Sequence, residues 1–427
     1  MKDAPDFSGA ELAAIRRDFP ILEKEGRGGE PIAYFDSSAT SQKPRCVLEA
    51  ELGFYTDANG AVHRNTHLLG DEATELFEQS RETVANFVGA APEEIVWTKN
   101  ATEALNLVTA ALGNASLEDP DGALALGPGD KIVVTRAEHH SNLVPWQQLA
   151  KHTGATLDWL ELTEDGRIDL DSLDRIDDST KVVAFTHASN VTGAISPVKQ
   201  IVDKAKEVGA LTVLDTCQSS AHMPVNVADL GVDFAVFSSH KMLGPTGIGA
   251  LWGRRELLDR FPPVVTGGSV VADVTMEDTV FLPAPAKFEA GSQPVAQAVG
   301  WASALGYLDA VGMDRVAAHE AAMTERILDG LKHMKGVRVL GPTDTKDRCG
   351  VVAFEVEGVH PHDVGQFLDS YDVAVRVGHH CAIPLHRFFG VKSSSRASVS
   401  LTTTEEEVDR FLDALSKVQE YFGGADE

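Results

Sequence analysis

Short apolar runs and longer stretches with helical spacing alternate along the chain from about Tyr34 to Gly253. The apolar runs are rich in β-branched residues and predict strands, and apolar residues three and four positions apart predict the helices between them. The predicted strands are Lys131–Thr135, Thr156–Leu160, Val182–Phe185, Thr212–Leu214, Phe234–Phe237 and Gly249–Trp252, and the predicted helices are Arg45–Tyr55, Ala73–Val88, Thr102–Leu112 and Val198–Val208. Several runs are apolar at every position, as strands buried on both faces are, so the pattern predicts an α/β domain with a largely parallel sheet.

After about Trp301 the pattern changes to longer helices and shorter strands, which predicts a smaller α+β domain. Its predicted elements are helices at Val295–Val311, Ala318–Met334, His362–Tyr371 and Glu405–Tyr421, and strands at Val337–Leu340, Gly350–Val356 and Val373–Val377. We therefore predict a large domain over residues 28–305 and a small domain built from residues 1–27 and 306–427. The Pro- and Gly-rich connection from Phe261 to Gly291 is long for a loop, which indicates a functional or interface element.

The composition of the chain limits the classes of protein to which it can belong. The chain has 427 residues, of which 43% are hydrophobic, so a sizeable core can be buried. No apolar run reaches the roughly 20 residues that a membrane span needs. Residues Met1 to Asp18 are acidic and mixed rather than patterned as a secretory signal, so we predict a cytoplasmic protein.

The net charge of -27, from 64 acidic against 37 basic residues, is extreme. It argues against binding to nucleic acid or to an anionic membrane, both of which need a basic surface. The acidic residues are spread along the chain rather than confined to a tail. Since high salt relieves the repulsion between such charges, we expect a halophilic source, and an ordinary acidic protein is the alternative.

Polar residues that could bind a cofactor or take part in a reaction follow three strand-like runs. Ligands of parallel sheets bind at such strand ends. Asp215 follows a buried run, and a buried carboxylate needs a cationic partner such as a protonated pyridinium nitrogen. Lys241 follows Ser238, Ser239 and His240 and could form a Schiff base. Thr102 stands at the start of a predicted helix, where main-chain N–H groups suit a phosphate.

Each of these residues also has an ordinary structural explanation when taken alone. Asp215 could cap a helix, and Lys241 could be a solvated loop lysine. Residues 100–102 could be a plain helix cap or, in a secreted protein, a glycosylation acceptor. The combination of all three indicates a pyridoxal-phosphate (PLP) site.

Ser238–Lys241, followed by Gly244–Gly249, resembles the PLP-lysine motif of class V aminotransferase-like enzymes of fold type I. The closer resemblance is to Suf-type, group II cysteine desulfurases, and it covers nearly the whole chain. Further matching strings are Asp36–Pro44, Ala61–Arg64, Glu138–Trp146, Thr186–Gly193, Phe288–Gly291 and Arg376–Ala382. The resemblance implies the α/β fold of a fold type I PLP-dependent transferase, with a large, mainly parallel-sheet domain and a smaller α+β domain.

The resemblance also implies roles for matching residues around the cofactor. Lys241 would hold pyridoxal 5'-phosphate and later move protons, and His139 would stack on its ring and take part in acid/base steps. Asp215 would keep the ring nitrogen protonated, and Gln218 would hydrogen-bond the ring hydroxyl oxygen. The phosphate would be held by Thr102, Ser238 and His240, with Ser292 added from the second subunit of a homodimer.

Substrate binding is implied in the same way. Asn190 and Arg396 would bind the carboxylate of L-cysteine, with Arg376 nearby, and no metal is predicted. The chain departs from the family pattern at Thr216 and Cys217, where relatives commonly have Gly and Ala, and at Ala101, where many have Thr. Neither departure removes a predicted catalytic atom, but Cys217 places a second thiol near the cofactor.

Cys381 is the candidate nucleophile among the four cysteines, which include no CxxC pair. It follows Arg376, His379 and His380, and nearby cationic groups can lower the pKa of a thiol. Two alternatives are a buried structural cysteine and a zinc site formed with the two histidines. The resemblance implies that Cys381 takes sulfur from L-cysteine as a persulfide and leaves alanine.

The resemblance further implies a supply of sulfur for iron–sulfur cluster assembly. In group II enzymes the nucleophile lies on a short, ordered loop, so we expect a dedicated acceptor protein of the Suf pathway to collect the sulfur. Selenocysteine lyase or cysteine sulfinate desulfinase activity is the enzymatic alternative. A sulfur-transfer scaffold without catalysis is the non-enzymatic alternative.

Overall fold

A computed structural model describes residues 6–63 and 66–423. A seven-stranded sheet forms its larger part, in the order β2-β8-β7-β6-β5-β3-β4 with strands numbered along the chain. These strands are β2 (Ile95–Thr98), β3 (Lys131–Thr135), β4 (Thr156–Leu160), β5 (Thr180–Thr186), β6 (Leu211–Asp215), β7 (Phe234–Ser238) and β8 (Gly249–Gly253). Strands β4, β3, β5, β6 and β7 are parallel, and only β8 runs antiparallel to its neighbours β7 and β2. The predicted, mainly parallel sheet is confirmed.

Helices cover both faces of this sheet. The helices of the described residues are α1 (Gly9–Arg17), α2 (Arg45–Asp57), α3 (Leu68–Val88), α4 (Ala101–Glu118), α5 (Val144–Thr153), α6 (Val198–Glu207), α7 (Val227–Leu230), α8 (Arg255–Arg260), α9 (Val295–Val311), α10 (Met313–Lys332), α11 (Pro361–Asp369), α12 (Ile383–Phe388), α13 (Glu405–Ser416) and α14 (Val418–Gly423). Val133 packs into the core shared with α2, α3 and α9, while its neighbours Ile132 and Val134 pack into the core beneath α4 and α5. This alternation explains the continuously apolar strands.

A second sheet of five strands has the order β1-β13-β14-β12-β11. Its strands are β1 (Ala33–Phe35), β11 (Val337–Leu340), β12 (Val351–Val356), β13 (Val373–Gly378) and β14 (Ser394–Ser398). Only β1 and β13 pair in parallel, and the core beneath the sheet includes Phe35, Phe354 and Phe411. This part of the molecule agrees with the predicted α+β unit.

Strand pairing bears on the domain boundaries. The prediction assigned residues from 28 onward to the large domain, whereas β1 (Ala33–Phe35) pairs with β13 of the small sheet. We therefore propose that the first boundary lies after Phe35, and the remaining boundaries stay predictions. The apolar run Ala33–Phe35 is too short for its sequence to show which sheet it joins.

Some predicted elements differ from the observed ones. The final helix was predicted as continuous, but it is interrupted at Lys417 between α13 and α14. Strand β14, with the sequence Ser-Ser-Arg-Ala-Ser, was not predicted because it lacks the usual apolar residues. The long connection after Phe261 contains a two-stranded hairpin, β9 (Val271–Val274) with β10 (Thr279–Phe281). Within the described ranges, no helix is both long and apolar enough to cross a membrane.

Candidate active site

Three predicted site residues, His139, Asp215 and Lys241, lie at or just after the carboxyl ends of neighbouring parallel strands. Asp215 is the last residue of β6, and in the β5–β6 register it lies opposite Thr186. Lys241 lies in a short 3-10 turn directly after β7, and the segment from Glu138 to Asn142 follows β3. The parallel topology thus brings together segments that are up to about a hundred residues apart in sequence.

The Lys241 segment is held by the loop that follows β1. The main-chain oxygen of His240 accepts hydrogen bonds from Ser41 N at 3.0 Å, Ser41 Oγ at 2.9 Å and Lys43 Nζ at 2.8 Å. The His240 ring contacts Thr40 Oγ1 through Nδ1 at 3.2 Å. Burial lowers the pKa of His240 to about 4, so its imidazole is neutral at pH 7. Hydrogen bonds from the loop after β1 therefore hold the backbone next to Lys241 in place.

The N-terminus of α4 and the end of β7 form one polar corner. Asn100 caps α4 by accepting from Glu103 N at 3.0 Å, and Ser238 Oγ accepts from Ala101 N at 2.9 Å. Thr102 Oγ1 lies 2.7 Å from Ser141 Oγ. Hydroxyl groups and a helix N-terminus are the donors that a phosphate needs, so Thr102, Ser238 and the unpredicted Ser141 fit that role.

The buried end of β6 leaves polar atoms unsatisfied. Asp215 Oδ1 accepts from Cys217 N at 3.0 Å, and Gln218 Nε2 donates to the main-chain oxygen of Ser38 at 2.9 Å. Gln218 Oε1 and Ser38 Oγ are buried without a hydrogen-bond partner in the described part of the chain. Buried polar groups normally have partners, so these atoms fit a ligand with polar ring substituents, as pyridoxal phosphate has.

His139 lies close to two charged groups, Lys241 and Asp215. Its Nδ1 accepts from Ser141 N at 3.1 Å. Burial, reinforced by the neighbouring Lys241, lowers the pKa of His139 to about 4 even though Asp215 acts in the opposite direction. The imidazole is therefore neutral at pH 7 and can accept a proton.

The residue before it, Glu138, is fully buried and was not predicted as part of the site. It accepts hydrogen bonds from Thr135 Oγ1 at 2.6 Å, Asn142 Nδ2 at 2.7 Å and Thr186 N at 2.9 Å. Burial raises its pKa to about 8. The contacts with Thr135 and Thr186 tie the His139 segment to strands β3 and β5, and the contact with Asn142 lies within the segment itself.

Arg376 and Arg396, a cross-strand pair on β13 and β14, share one carboxylate. Asp36 Oδ1 lies 3.2 Å from Arg396 Nη2, and Asp36 Oδ2 lies 3.7 Å from Arg376 Nη1. The Arg396 side chain is 3% exposed and that of Arg376 is 54% exposed. Burial lowers the pKa of Arg396 to about 10, so the group stays cationic at pH 7. A buried, fixed guanidinium suits a substrate carboxylate.

Asn190 joins this cluster to the segment that carries Cys381. Its main-chain oxygen accepts from Arg396 Nη1 at 2.9 Å, and its Nδ2 donates to the main-chain oxygen of His380 at 2.6 Å. Cys381 accepts at its own main-chain oxygen from His140 N at 2.7 Å. The Cys381 segment is therefore fixed on both sides, as predicted for a short, ordered loop.

The backbone at Cys381 is unusual. His380 and Cys381 have φ values of 49° and 55°, in the left-handed region that residues with a side chain rarely adopt. The Cys381 side chain is exposed, whereas Cys217 and Cys349 are buried. Burial raises the pKa of the Cys217 thiol above its ordinary value, which keeps that thiol protonated. The alternative of a buried structural Cys381 is therefore wrong.

The predicted zinc alternative also lacks support in the geometry. His380 Nε2 contacts Ser394 Oγ at 3.0 Å, and burial lowers the pKa of His380 to about 2. Within the described ranges, no group of three or more His, Cys, Asp or Glu side chains could hold a metal ion. Arg64, part of one motif string, lies outside the described residues.

Ser292 lines an open groove of about 1270 Å³ together with Thr102 and Ser141. The Ser292 side chain is exposed. Its segment is anchored by a buried ion pair between Glu289 and Arg81, at 2.6 Å, and by Glu289 Oε1 accepting from Trp97 N at 2.8 Å. Ser292 is thus presented on the surface of the subunit.

Besides Ser141, three functional positions escaped prediction for different reasons. Asp36 follows the apolar run Ala33–Phe35, the same signal that identified Asp215, but the run was not assigned as a strand. Glu138 lies within the string Glu138–Trp146 but had no predicted role of its own, although it closely follows β3. Lys43 lies within the string Asp36–Pro44 but had no predicted role, because its contact with the His240 carbonyl joins segments about 200 residues apart.

The comparisons with known proteins agree with this geometry. The family Aminotransferase class-V matches residues 33–411. A protein of Mycobacterium leprae named "Probable cysteine desulfurase 2" is 54% identical, over 97% of this chain and 98% of its own length. The cysteine desulfurase of Haloferax volcanii is 43% identical, over 96% and 98%.

Solved structures give the same result for the fold. The apo structure of a cysteine desulfurase from Thermococcus onnurineus NA1 superimposes with a TM-score of 0.90 at 38% identity, covering 98% of this chain and all of the other. The predicted fold, including its small α+β part, is confirmed. The chain belongs to the aminotransferase class-V family.

Proposed function

We propose that this chain is a pyridoxal-phosphate-dependent cysteine desulfurase that converts L-cysteine to L-alanine and leaves a persulfide on Cys381. One observation carries the proposal: an exposed cysteine is fixed through Asn190 and His140 against the strand-end cluster that contains Lys241 and His139. The names of the full-length relatives support it.

Pyridoxal phosphate, when bound, supplies an electron sink that weakens bonds at the substrate's α and β carbons. Lys241 would hold the cofactor, Asp215 would face its ring nitrogen, and Gln218 would face its hydroxyl oxygen. Thr102, Ser238 and His240 would hold its phosphate. Ser141 joins this set because its hydroxyl lies 2.7 Å from Thr102.

Arg396 and Asn190 would orient the cysteine carboxylate, and the more exposed Arg376 would close over it. The Cys381 thiolate would attack the substrate sulfur. The carbon–sulfur bond of the substrate breaks, a sulfur–sulfur bond forms at Cys381, and the carbon retains the electron pair and takes a proton. His139, which is neutral at pH 7, and Lys241 would hold and return that proton.

The experiment that tests this function measures alanine and sulfide after L-cysteine is added with a reducing thiol. Equal amounts of both are expected, and neither should form with Lys241→Ala. Running L-selenocysteine in parallel separates a desulfurase from a selenocysteine lyase, because the lyase would release selenide much faster than sulfide. Absence of alanine from cysteine would reject the proposal.

We also propose that the enzyme works as a homodimer. Leu48, Leu52 and Tyr55 form an exposed apolar stripe at helical spacing on α2, with side chains 46%, 63% and 56% exposed. Leu68 and Leu69, at the start of α3, are further exposed apolar side chains. Ser292, presented on the groove beside Thr102, would contribute to the phosphate site of the second subunit. Light scattering tests the assembly, and a monomer at micromolar concentration would contradict it.

Three further proposals concern the cellular setting. The sulfur would pass to an acceptor protein of the Suf pathway for iron–sulfur cluster assembly, and the enzyme would act in the cytoplasm. The dispersed acidic surface supports a halophilic source. Thermal unfolding in molar KCl tests the last point: a higher midpoint than in dilute buffer is expected, and an unchanged midpoint would contradict it.

A further inference from the structure

The segment around Cys381 has the opposite charge character to the rest of the chain. Residues 373–404 contain no Asp or Glu, although the whole chain has 64 acidic residues and a net charge of -27. The same segment contains four cations: Arg376, Arg387, Lys392 and Arg396. It comprises β13, the Cys381 loop, α12 and β14.

Strand pairing makes part of this segment compact. Gly378 of β13 lies opposite Ser394 of β14, so residues 379–393 leave the sheet and return to it at a single rung. This excursion carries Cys381, the six-residue helix α12 with Arg387 near its end, and Lys392. Arg387 and Lys392 therefore lie on the same short excursion from the sheet as Cys381.

The candidate active site accounts for two of the four cations but not for the other two. Arg396 is buried and bonds to Asp36, and Arg376 contacts the same carboxylate. By contrast, Arg387 and Lys392 are exposed, and no carboxylate within residues 6–63 and 66–423 lies within 4 Å of either. Elsewhere exposed lysines often have acidic partners one turn away, as Lys199 has Asp203 and Lys417 has Asp413.

We propose that Arg387 and Lys392 form a cationic docking surface beside Cys381 for an acceptor protein whose thiol is surrounded by acidic side chains. This inference rests on the proposed function and adds the chemistry of the partner. The chain as a whole repels an acidic partner, so a local patch of opposite sign would select the one orientation in which the two sulfur atoms meet.

The transfer itself needs no further reactant. The acceptor thiolate attacks the outer sulfur of the Cys381 persulfide and forms a new sulfur–sulfur bond. The bond between that sulfur and Cys381 breaks, and Cys381 leaves as a thiolate that takes up the proton released by the acceptor. There is no net oxidation or reduction, so the rate depends on how the two surfaces meet.

The test uses three synthetic peptides of equal length, each with one cysteine flanked by Glu, Gln or Lys. Holoenzyme is first loaded with L-cysteine, and alanine and the Cys381 persulfide are measured before any peptide is added. The rate of sulfur transfer to each peptide is then measured. At low salt we expect transfer to the Glu peptide to exceed that to the Lys peptide by about tenfold, and added KCl should reduce the ratio.

The decisive variant is the double charge reversal Arg387→Glu with Lys392→Glu, which should invert the order of the peptides without changing persulfide formation. The matched control is Lys332→Glu with Lys335→Glu at the end of α10, two exposed lysines and the same change in net charge. The control should keep the wild-type order.

The outcomes separate the two proposals. Normal loading with equal peptide rates, or an order that both double variants change alike, would overturn the docking surface and leave the desulfurase intact. No alanine and no persulfide would overturn the proposed function, and the docking surface with it.

Discussion

Asn190 Nδ2 donates a hydrogen bond of 2.6 Å to the main-chain oxygen of His380, the residue before Cys381. The contact joins the loop after β5, in the large sheet, to the nucleophile segment of the small sheet. It helps to hold His380 and Cys381 in the left-handed backbone region, where φ is 49° and 55°. Asn190 is therefore placed to position Cys381 as well as the substrate.

Replacing Asn190 with Ala should lower the rate of persulfide formation at saturating cysteine by roughly two- to tenfold, because one neutral hydrogen bond to the loop is lost. The visible spectrum of the bound cofactor should not change. Asn114→Ala is a suitable control, since Asn114 also donates to a main-chain oxygen, that of Pro263, at 3.2 Å. A wild-type rate in Asn190→Ala, measured by rapid quench, would refute the positioning role.

Replacing Lys241 with Ala should abolish the visible absorbance of the lysine-bound cofactor and reduce alanine formation by about 100-fold or more. The exposed Lys335 provides a control at which the same change should leave both properties intact. Absorbance spectra and alanine assays on the purified proteins check the prediction. If Lys241→Ala kept both absorbance and turnover, the cofactor site would lie elsewhere.

Replacing Arg396 with Gln should raise the KM for cysteine by about tenfold or more, because a buried, charge-assisted hydrogen bond to the carboxylate is lost. Arg376→Gln should have a smaller effect, since that side chain is 54% exposed. Steady-state kinetics measure both. The reverse order of the two effects would contradict the assignment of Arg396 as the principal carboxylate ligand.

His187 should make the protein sensitive to acid. Burial lowers its pKa to about 4, below the value of about 6.5 in an unfolded chain. Between these values the unfolded state binds a proton that the folded state excludes, so wild-type stability falls as pH drops from 6.5 towards 4 and is unaffected above 6.5.

His187→Gln cannot ionise. Its free energy of unfolding relative to wild type should therefore rise as pH falls, by at most about 1.4 kcal/mol per pH unit. Urea unfolding of both proteins between pH 4.5 and 8 measures this difference. A difference that is independent of pH would show that His187 has an ordinary pKa in the fold.

Local patterns in the sequence were sufficient to predict most strands of the large sheet. Strands such as Lys131–Thr135 and Thr156–Leu160 were predicted to the residue, because each is a short apolar or β-rich run bounded by turn residues. Strand β14 was missed, since its serines are buried by neighbours that the sequence does not identify. The three-residue β1 was missed because its pairing partner lies about 340 residues away.

The candidate site also contains residues that local patterns predicted and contacts that they did not. Asp215 and Lys241 were found because each directly follows an apolar strand, which is a local signal. The shared ion pair of Asp36 with Arg396, the support of His240 by Lys43, and the hydrogen bond of Asn190 to His380 all join distant segments. Such contacts depend on how the two sheets pack, so no local pattern could reveal them.

The central claim is that Cys381 receives the sulfur of L-cysteine. The most direct measurement is mass spectrometry of the holoenzyme after one addition of L-cysteine, with free thiols alkylated and the cysteine peptides compared. We expect one additional sulfur atom on Cys381 and one alanine per persulfide, with buried Cys217 unmodified. Additional sulfur on Cys217 instead, or alanine formed with no sulfur retained on Cys381, would contradict it.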